Sequence, residues 1–247
     1  MKKSFIYNCL PLLFAAMATF SFTACGGGDG DDTDYAAIAA MQGMLSGGGI
    51  TVTGEAIDLG LSVKWASCNV GATQPWEYGG YYAWGETEEK SYYGWNTYKY
   101  YQPHYDLLTK YCTSSSKGTV DNKRTLEPTD DVATVKWGGA WRMPTLDEIK
   151  ELTDNCKWIW TTLNGVNGCR VTGPNGNSIF LPAAGRSYGT ADPTMEGMSG
   201  YYWSKSINDD DKAYHLGILN NIYGNSLLFS WSSFGRPAGH SVRPVCP

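Results

Sequence analysis

Residues 137–155, WGGAWRMPTLDEIKELTDN, constrain this chain more than any other stretch. A glycine-rich aromatic segment turns there, through Pro144, into the clearest helix of the sequence. Thr145 and Glu148 have the S/T-x-x-E spacing of a capping box, so each side chain can take a backbone N–H left orphaned at the helix start. Leu146, Ile149 and Leu152 recur three apart on one face, while Asp147, Glu148, Lys150 and Glu151 point away from it. The remainder is punctuated by Gly, Asn and Ser and is rich in Tyr and Trp. The expected class is therefore α+β: irregular antiparallel sheets, loop-rich, with one main helix at about 145–155.

The first 25 residues stand outside any fold argument. Lys2 and Lys3 form a basic start, and Leu10 to Phe22 is an apolar run too short to span a bilayer. It ends in Phe22-Thr23-Ala24-Cys25, which resembles the lipobox of bacterial lipoproteins. That resemblance implies removal of residues 1–24 and acylation of Cys25, so membrane contact would run through the lipid anchor only. An ordinary secretory signal is the alternative. Residues 25–49 then read as a lipidated cysteine and a flexible acidic, Gly-rich tether, with the folded domain at 50–247. The acidic GGGDGDDTD of 26–34 is similar to the surface-export signal of Bacteroidota lipoproteins, though glycine interrupts it; a plain solvated linker is the other reading. A short helix is expected at 35–45.

Composition narrows the function classes. Hydrophobic residues at 42% and charged residues at 17% describe a globular chain. The net charge of −5, which becomes −7 when Lys2 and Lys3 leave with the signal, gives nucleic acid no electrostatic footprint. Aromatics reach 14%, many beside Gly, Ser and Asn, company that suits contact surfaces because rings bring area with few rotamers to freeze. Five cysteines remain beyond Cys25, namely Cys68, Cys112, Cys156, Cys169 and Cys246. They read as optional staples, since an odd number cannot all pair and none has metal-ligand spacing.

Along the domain the signals are β. Val63–Ser67 and Gly80–Trp84 read as strands, and 91–123 as a polar, Tyr-rich surface excursion. Asp130–Lys136 reads as a helical turn. Asn164-Gly165 and Asn175-Gly176 read as type I′-like hairpin turns, and Ile179–Ala183 as a buried strand. Tyr201–Ser204, Ala213–Leu219, Leu227–Trp231 and Ser241–Val245 complete the strands, with no repeat of 20–50 residues evident.

Several collinear motifs then carry a resemblance. EAIDLGLSVKWASCNVGA (55–72), YYAWGET (81–87), GTVDNKRTLEPTDD (118–131), WGGAWRMPT (137–145), NGVNGCRVTGPNGNSIFLPAAG (164–185), GYYWS (200–204) and GHSVRPV (239–245) together resemble the Fibrobacter succinogenes major paralogous (FISUMP) domain of Bacteroidota lipoproteins. The Trp-Arg-Met-Pro-Thr helix start and the final Ser-Val-Arg also resemble the C-type-lectin-like fold shared with formylglycine-generating enzymes. The resemblance implies a domain whose ends lie close together and whose C-terminal strands carry an exposed binding face. The same fold displays the variable segment in target proteins of diversity-generating retroelements.

Within 201–247, Tyr202, Trp203, Tyr214, Leu216, Ile218, Gly239, Ser241, Val242 and Arg243 look like framework. His215, Asn220, Asn221, Tyr223, Asn225, Trp231, Ser232, Ser233, Phe234, Pro237, Ala238 and His240 have no obvious structural task. Trp231 and Phe234 flanked by serines, with Tyr223 and His240 nearby, form the expected contact patch for an extracellular protein or glycan. The competing assignment buries Trp231 in the core. An envelope or fimbrial assembly component is the second reading, and an enzyme the third. For an enzyme, His104, His215 and His240 are the available imidazoles, none in a nucleophile or metal motif, and no cysteine pair maps onto that of the formylglycine-generating relatives. No cofactor is expected. Calcium is the alternative weighed, because Glu127-Pro128-Thr129-Asp130 and Asn208-Asp209-Asp210-Asp211 offer oxygens. Asp130 or Asp131 could equally cap a helix.

Overall fold

The computed structural model describes residues 54–102, 107–221 and 226–247. Its elements are β1 (Ala56–Ile57), β2 (Lys64–Ala66), β3 (Tyr101–Gln102), β4 (Leu107–Leu108), α1 (Val132–Trp137), α2 (Leu146–Asn155), β5 (Lys157–Leu163), β6 (Val166–Thr172), β7 (Ser178–Pro182), β8 (Ser199–Ile207), β9 (Lys212–Asn221), β10 (Ser226–Gly235) and β11 (Val245–Cys246). The pairings between these strands are antiparallel, and loops occupy much of the rest of the described residues, which is an α+β architecture. The signal segment, Cys25, the tether, the helix expected at 35–45, His104, Tyr223, Asn225 and the side chain of Asn221 lie outside the described residues.

The helix start forms as its spacing requires. Thr145 Oγ1 accepts the Glu148 N–H at 3.2 Å, and Glu148 Oε2 accepts the Thr145 N–H at 2.8 Å. Arg142 adds a two-pronged contact to Glu148 at 2.8 and 2.5 Å, which fixes that carboxylate over the helix N-terminus. Ile149 and Leu152 are buried. The Arg142 backbone pairs with Val245 in both directions, at 3.0 and 2.9 Å, so the helix start is tied directly to the last strand.

Among the described residues, three three-stranded sheets and one short ribbon form the framework. The β1-β2-β11 sheet joins both ends of the described chain, with Trp65 opposite Ile57 on one side and Val245 on the other. In the β5-β6-β7 meander the first turn is a two-residue loop with Asn164 at φ 47° and Gly165 at φ 81°, the conformation that Asn-Gly favours. The second turn corrects the expectation. Only Gly176 takes positive φ, at 91°, because Pro174 sits in the turn and fixes its own φ near −65°; a five-residue loop results, closed by Gly176 N–H to Gly173 O at 3.1 Å.

The β10-β9-β8 sheet separates two cores. Tyr202, Leu216 and Ile218 face Ile149, Leu152, Trp65 and the meander. Trp203, Ile207 and Ala213 face an aromatic core that includes Tyr82, Trp84, Tyr93, Tyr98, Tyr100 and Tyr111. Much of that core comes from 91–123, so the segment is no surface excursion. Tyrosine tolerates burial when its hydroxyl finds a partner. Tyr93 Oη donates to Tyr81 O (2.5 Å), Tyr98 Oη to Trp84 O (2.7 Å), Tyr100 Oη to Gly85 O (3.1 Å) and Tyr111 Oη to Asp130 (2.7 Å).

Two strand expectations also change. Gly80–Trp84 makes only an isolated bridge, Tyr82 to His240, between glycines with φ 72° at Gly79 and 79° at Gly85 that bend the chain out of a ladder. Of Ser241–Val245 only Val245 lies in a strand. Arg243 instead turns inward, fully buried, donating to Asn69 Oδ1, Ala66 O, Ser67 O and Phe180 O at 2.8–2.9 Å. The five cysteines are free, and Cys68, Cys112 and Cys169 are buried, so they serve as small apolar side chains rather than staples.

Candidate ligand-binding surface

β10 is the open edge of its sheet, paired with β9 over its whole length from Ser226 opposite Asn221 to Gly235 opposite Lys212. Its sequence, SLLFSWSSFG, holds no charge. Leu228, Phe229 and Trp231 are 50%, 36% and 45% exposed. Side chains directly opposite each other across a ladder share a face, so the register sorts the candidates.

Trp231 lies opposite Leu216 and Ser233 opposite Tyr214, on the face that covers α2. Lys150 Nζ stands 5.0 Å from the Trp231 ring centre, and the Tyr214 ring lies edge-on at 6.0 Å. Two residue pairs along, on the same face, Phe229 stacks on Trp158 at 4.7 Å with planes 11° apart. Ser233 Oγ accepts from Asn208 Nδ2 at 3.1 Å.

Ser232 lies opposite His215, and His215 opposite Trp203, on the other face. Phe234 belongs to the same side, half-buried against the aromatic core. The structure therefore brings His215, Ser232, Phe234 and His240 together and leaves Trp231 and Ser233 on the opposite side of the strand. Asn220 is half-buried near the far end, its N–H bonded to Met198 O at 3.1 Å.

The two histidines are not surface residues. His215 is 4% exposed and His240 fully buried, which corrects their assignment as direct ligand contacts. His240 stacks on Trp203 at 3.9 Å, and the two imidazoles meet edge-to-face at 5.1 Å. Burial, with a smaller push from the Arg186 charge, lowers the His215 imidazole to about 4. Burial, then His215 and Arg186, holds His240 well below the ordinary histidine range.

Arg186 is the residue that sequence reading missed. Its guanidinium lies 4.7 Å from the Tyr201 ring centre and 4.3 Å from that of Phe234, with Tyr188 edge-on to Phe234 at 5.8 Å. An arginine between Gly and Ser, outside any helix and two residues from Tyr188, was the available signal.

The carboxylates weighed for calcium already have partners. Lys110 and Lys123 bind Glu127, and Lys110 (2.5 Å), Lys99 (3.2 Å) and Tyr111 bind Asp130. Asp131 caps α1 through Ala133 N and Thr134 N. Asp210 accepts from Thr113, and Asp211 pairs with Lys117 at 2.7 Å. Comparison of the chain with protein-family models, curated proteins and solved structures finds no match.

Proposed function

We propose that this chain is a surface lipoprotein whose domain binds an extracellular protein or glycan through β9 and β10, without catalysis. The observation that carries the reading is the edge strand: ten uncharged residues presenting Phe229 and Trp231 beside Trp158 and Lys150 on one face and the half-exposed Leu228 on the other. Exposed apolar groups clustered on one edge mark contact sites, and a ring under a lysine offers both a stacking plane and a charge. The shared sheet at the two ends of the described residues, the capped helix and the loop-rich sheets support a C-type-lectin-like domain of the FISUMP kind. Acylation at Cys25, outer-membrane anchoring at the cell surface and a link to diversity-generating retroelements rest on the sequence resemblance. The test is capture from a glycan array and from envelope proteins by the full chain. Trp231→Ala and Leu228→Glu are expected to abolish capture; capture unchanged in both would contradict the reading.

One observation favours a second reading, an assembly component. An open, charge-free edge strand lacks the lysines and prolines that usually block pairing with another chain. That reading expects concentration-dependent oligomers broken by Ser230→Pro, whereas a binding domain remains monomeric.

A further inference from the structure

We propose that the notch above Gly217, on the Ser232 face of the sheet, binds the carboxylate of an acidic sugar, with Arg186 as its anion anchor. This rests on the recognition-surface reading and names the ligand chemistry of one part of that surface.

Gly217 lies between Tyr201 on β8 and Ser230 on β10. The atoms nearest to a Cβ placed there are Ser230 O at 3.7 Å and the His215 ring, with Nε2 at 3.8 Å. The His215 imidazole thus overhangs a floor without a side chain. Beside it the His215 and His240 rings, 5.1 Å apart, hold three buried nitrogens with no partner among the described residues: His215 Nδ1 and both nitrogens of His240. Folded proteins leave few such groups unpaired, and a cluster of them marks the place of a polar occupant. Arg186 stands over the Tyr201 and Phe234 rings, which themselves border the imidazoles, and among the described residues no carboxylate lies within ion-pair distance of it.

The charge of Arg186 decides the sign of the occupant. A metal ion would sit beside a cation with two imidazoles as its nitrogen ligands, and among the described residues no group of three His, Cys, Asp or Glu exists to hold one. A guanidinium instead presents a planar fork of donors that matches a carboxylate. The place in the sheet favours a ring over an extended peptide. A strand added at the β10 edge would run beyond β10, whereas Tyr201 sits on β8, roughly 10 Å away at two strand spacings. A compact sugar resting on the Tyr201 ring reaches Arg186, with the Ser230 hydroxyl available to its own hydroxyls.

The test is an NMR titration of the full chain with 15N-labelled histidine. Glucuronate is expected to shift the His215 signals saturably, and glucose to leave them in place. Arg186→Gln and Gly217→Val should each weaken glucuronate at least tenfold; Arg186→Lys, which keeps the charge and loses the fork, should fall between. If Arg186→Gln does not fold, Gly217→Val and Arg186→Lys carry the comparison. Equal response to glucose, no saturable shift, a stronger response to triglutamate, or unchanged affinity in Gly217→Val would overturn the proposal. Any of these with Trp231-dependent capture intact removes only the acidic-sugar assignment; loss of Trp231 dependence removes the wider reading.

Discussion

The imidazole of His240 lies flat on the indole of Trp203, ring centres 3.9 Å apart and planes 20° from parallel. Burial, then the neighbouring His215 and the Arg186 cation, favours the neutral form of that imidazole. His215 is held in the same state, at about 4.

A pH prediction comes from these two rings. An imidazole lowered on folding is neutral in the native state, so its stabilisation is complete above the unfolded value of about 6.5 and is lost as pH falls toward 4. For His215 alone the loss reaches about 3 kcal/mol by pH 4. Asp130 acts in a lower window. Burial opposes its charge, but hydrogen bonds from Lys110, Tyr111 and Lys99 outweigh that and hold it far below the usual range, so its contribution fades only below about pH 4. Thermal unfolding should therefore show a falling Tm from pH 6.5 to 5, flattened in His240→Phe, which keeps the stack. A Tm constant over that range would contradict the account.

Arg243 supplies a second prediction. Its guanidinium satisfies three backbone carbonyls and Asn69 from a fully buried position, locking β2, β7 and the C-terminal segment together. Arg243→Met leaves those acceptors unpaired and should cost about 3–5 kcal/mol. A domain of this size then melts roughly 10 °C lower by calorimetry. A shift below about 3 °C would mean that water replaces the guanidinium freely.

The two hairpin turns make a third. An added Cβ meets nothing within 4 Å at Gly165 or Gly176, so the cost of alanine there is backbone strain alone. With φ at 81° and 91°, each Gly→Ala should lower stability by about 1 kcal/mol, read from urea unfolding. Asn164→Ala should add a similar loss in the first turn, because Asn164 also takes positive φ; Asn175→Ala should lose less backbone energy, because Asn175 does not.

Local chemistry was legible and neighbourhood was not. The capping box at Thr145 and Glu148, the Asn164-Gly165 turn and the Asp131 cap depend on residues a few positions apart, and the sequence carries those directly. The burial of Tyr93, Tyr98, Tyr100 and Tyr111 depends on three carbonyls and the Asp130 carboxylate, none of them local in sequence, so a Tyr-rich polar stretch reads as surface until those acceptors are placed. The candidate surface failed the same way. His215 and His240 looked free because nothing local occupies them, yet Trp203 and Tyr201 enclose both. Arg186, which stands over the adjoining Tyr201 and Phe234 rings, is 29 residues before His215 and shares no motif with it.

The central claim is that the open edge of the β8–β10 sheet is a recognition surface rather than unfinished core. The most direct measurement pairs ligand affinity with melting temperature for the full chain and Trp231→Ala. The half-exposed indole contributes little core burial, so Tm should fall by no more than about 3 °C while affinity drops at least tenfold. A fall of about 10 °C with affinity of the folded protein unchanged would contradict the claim.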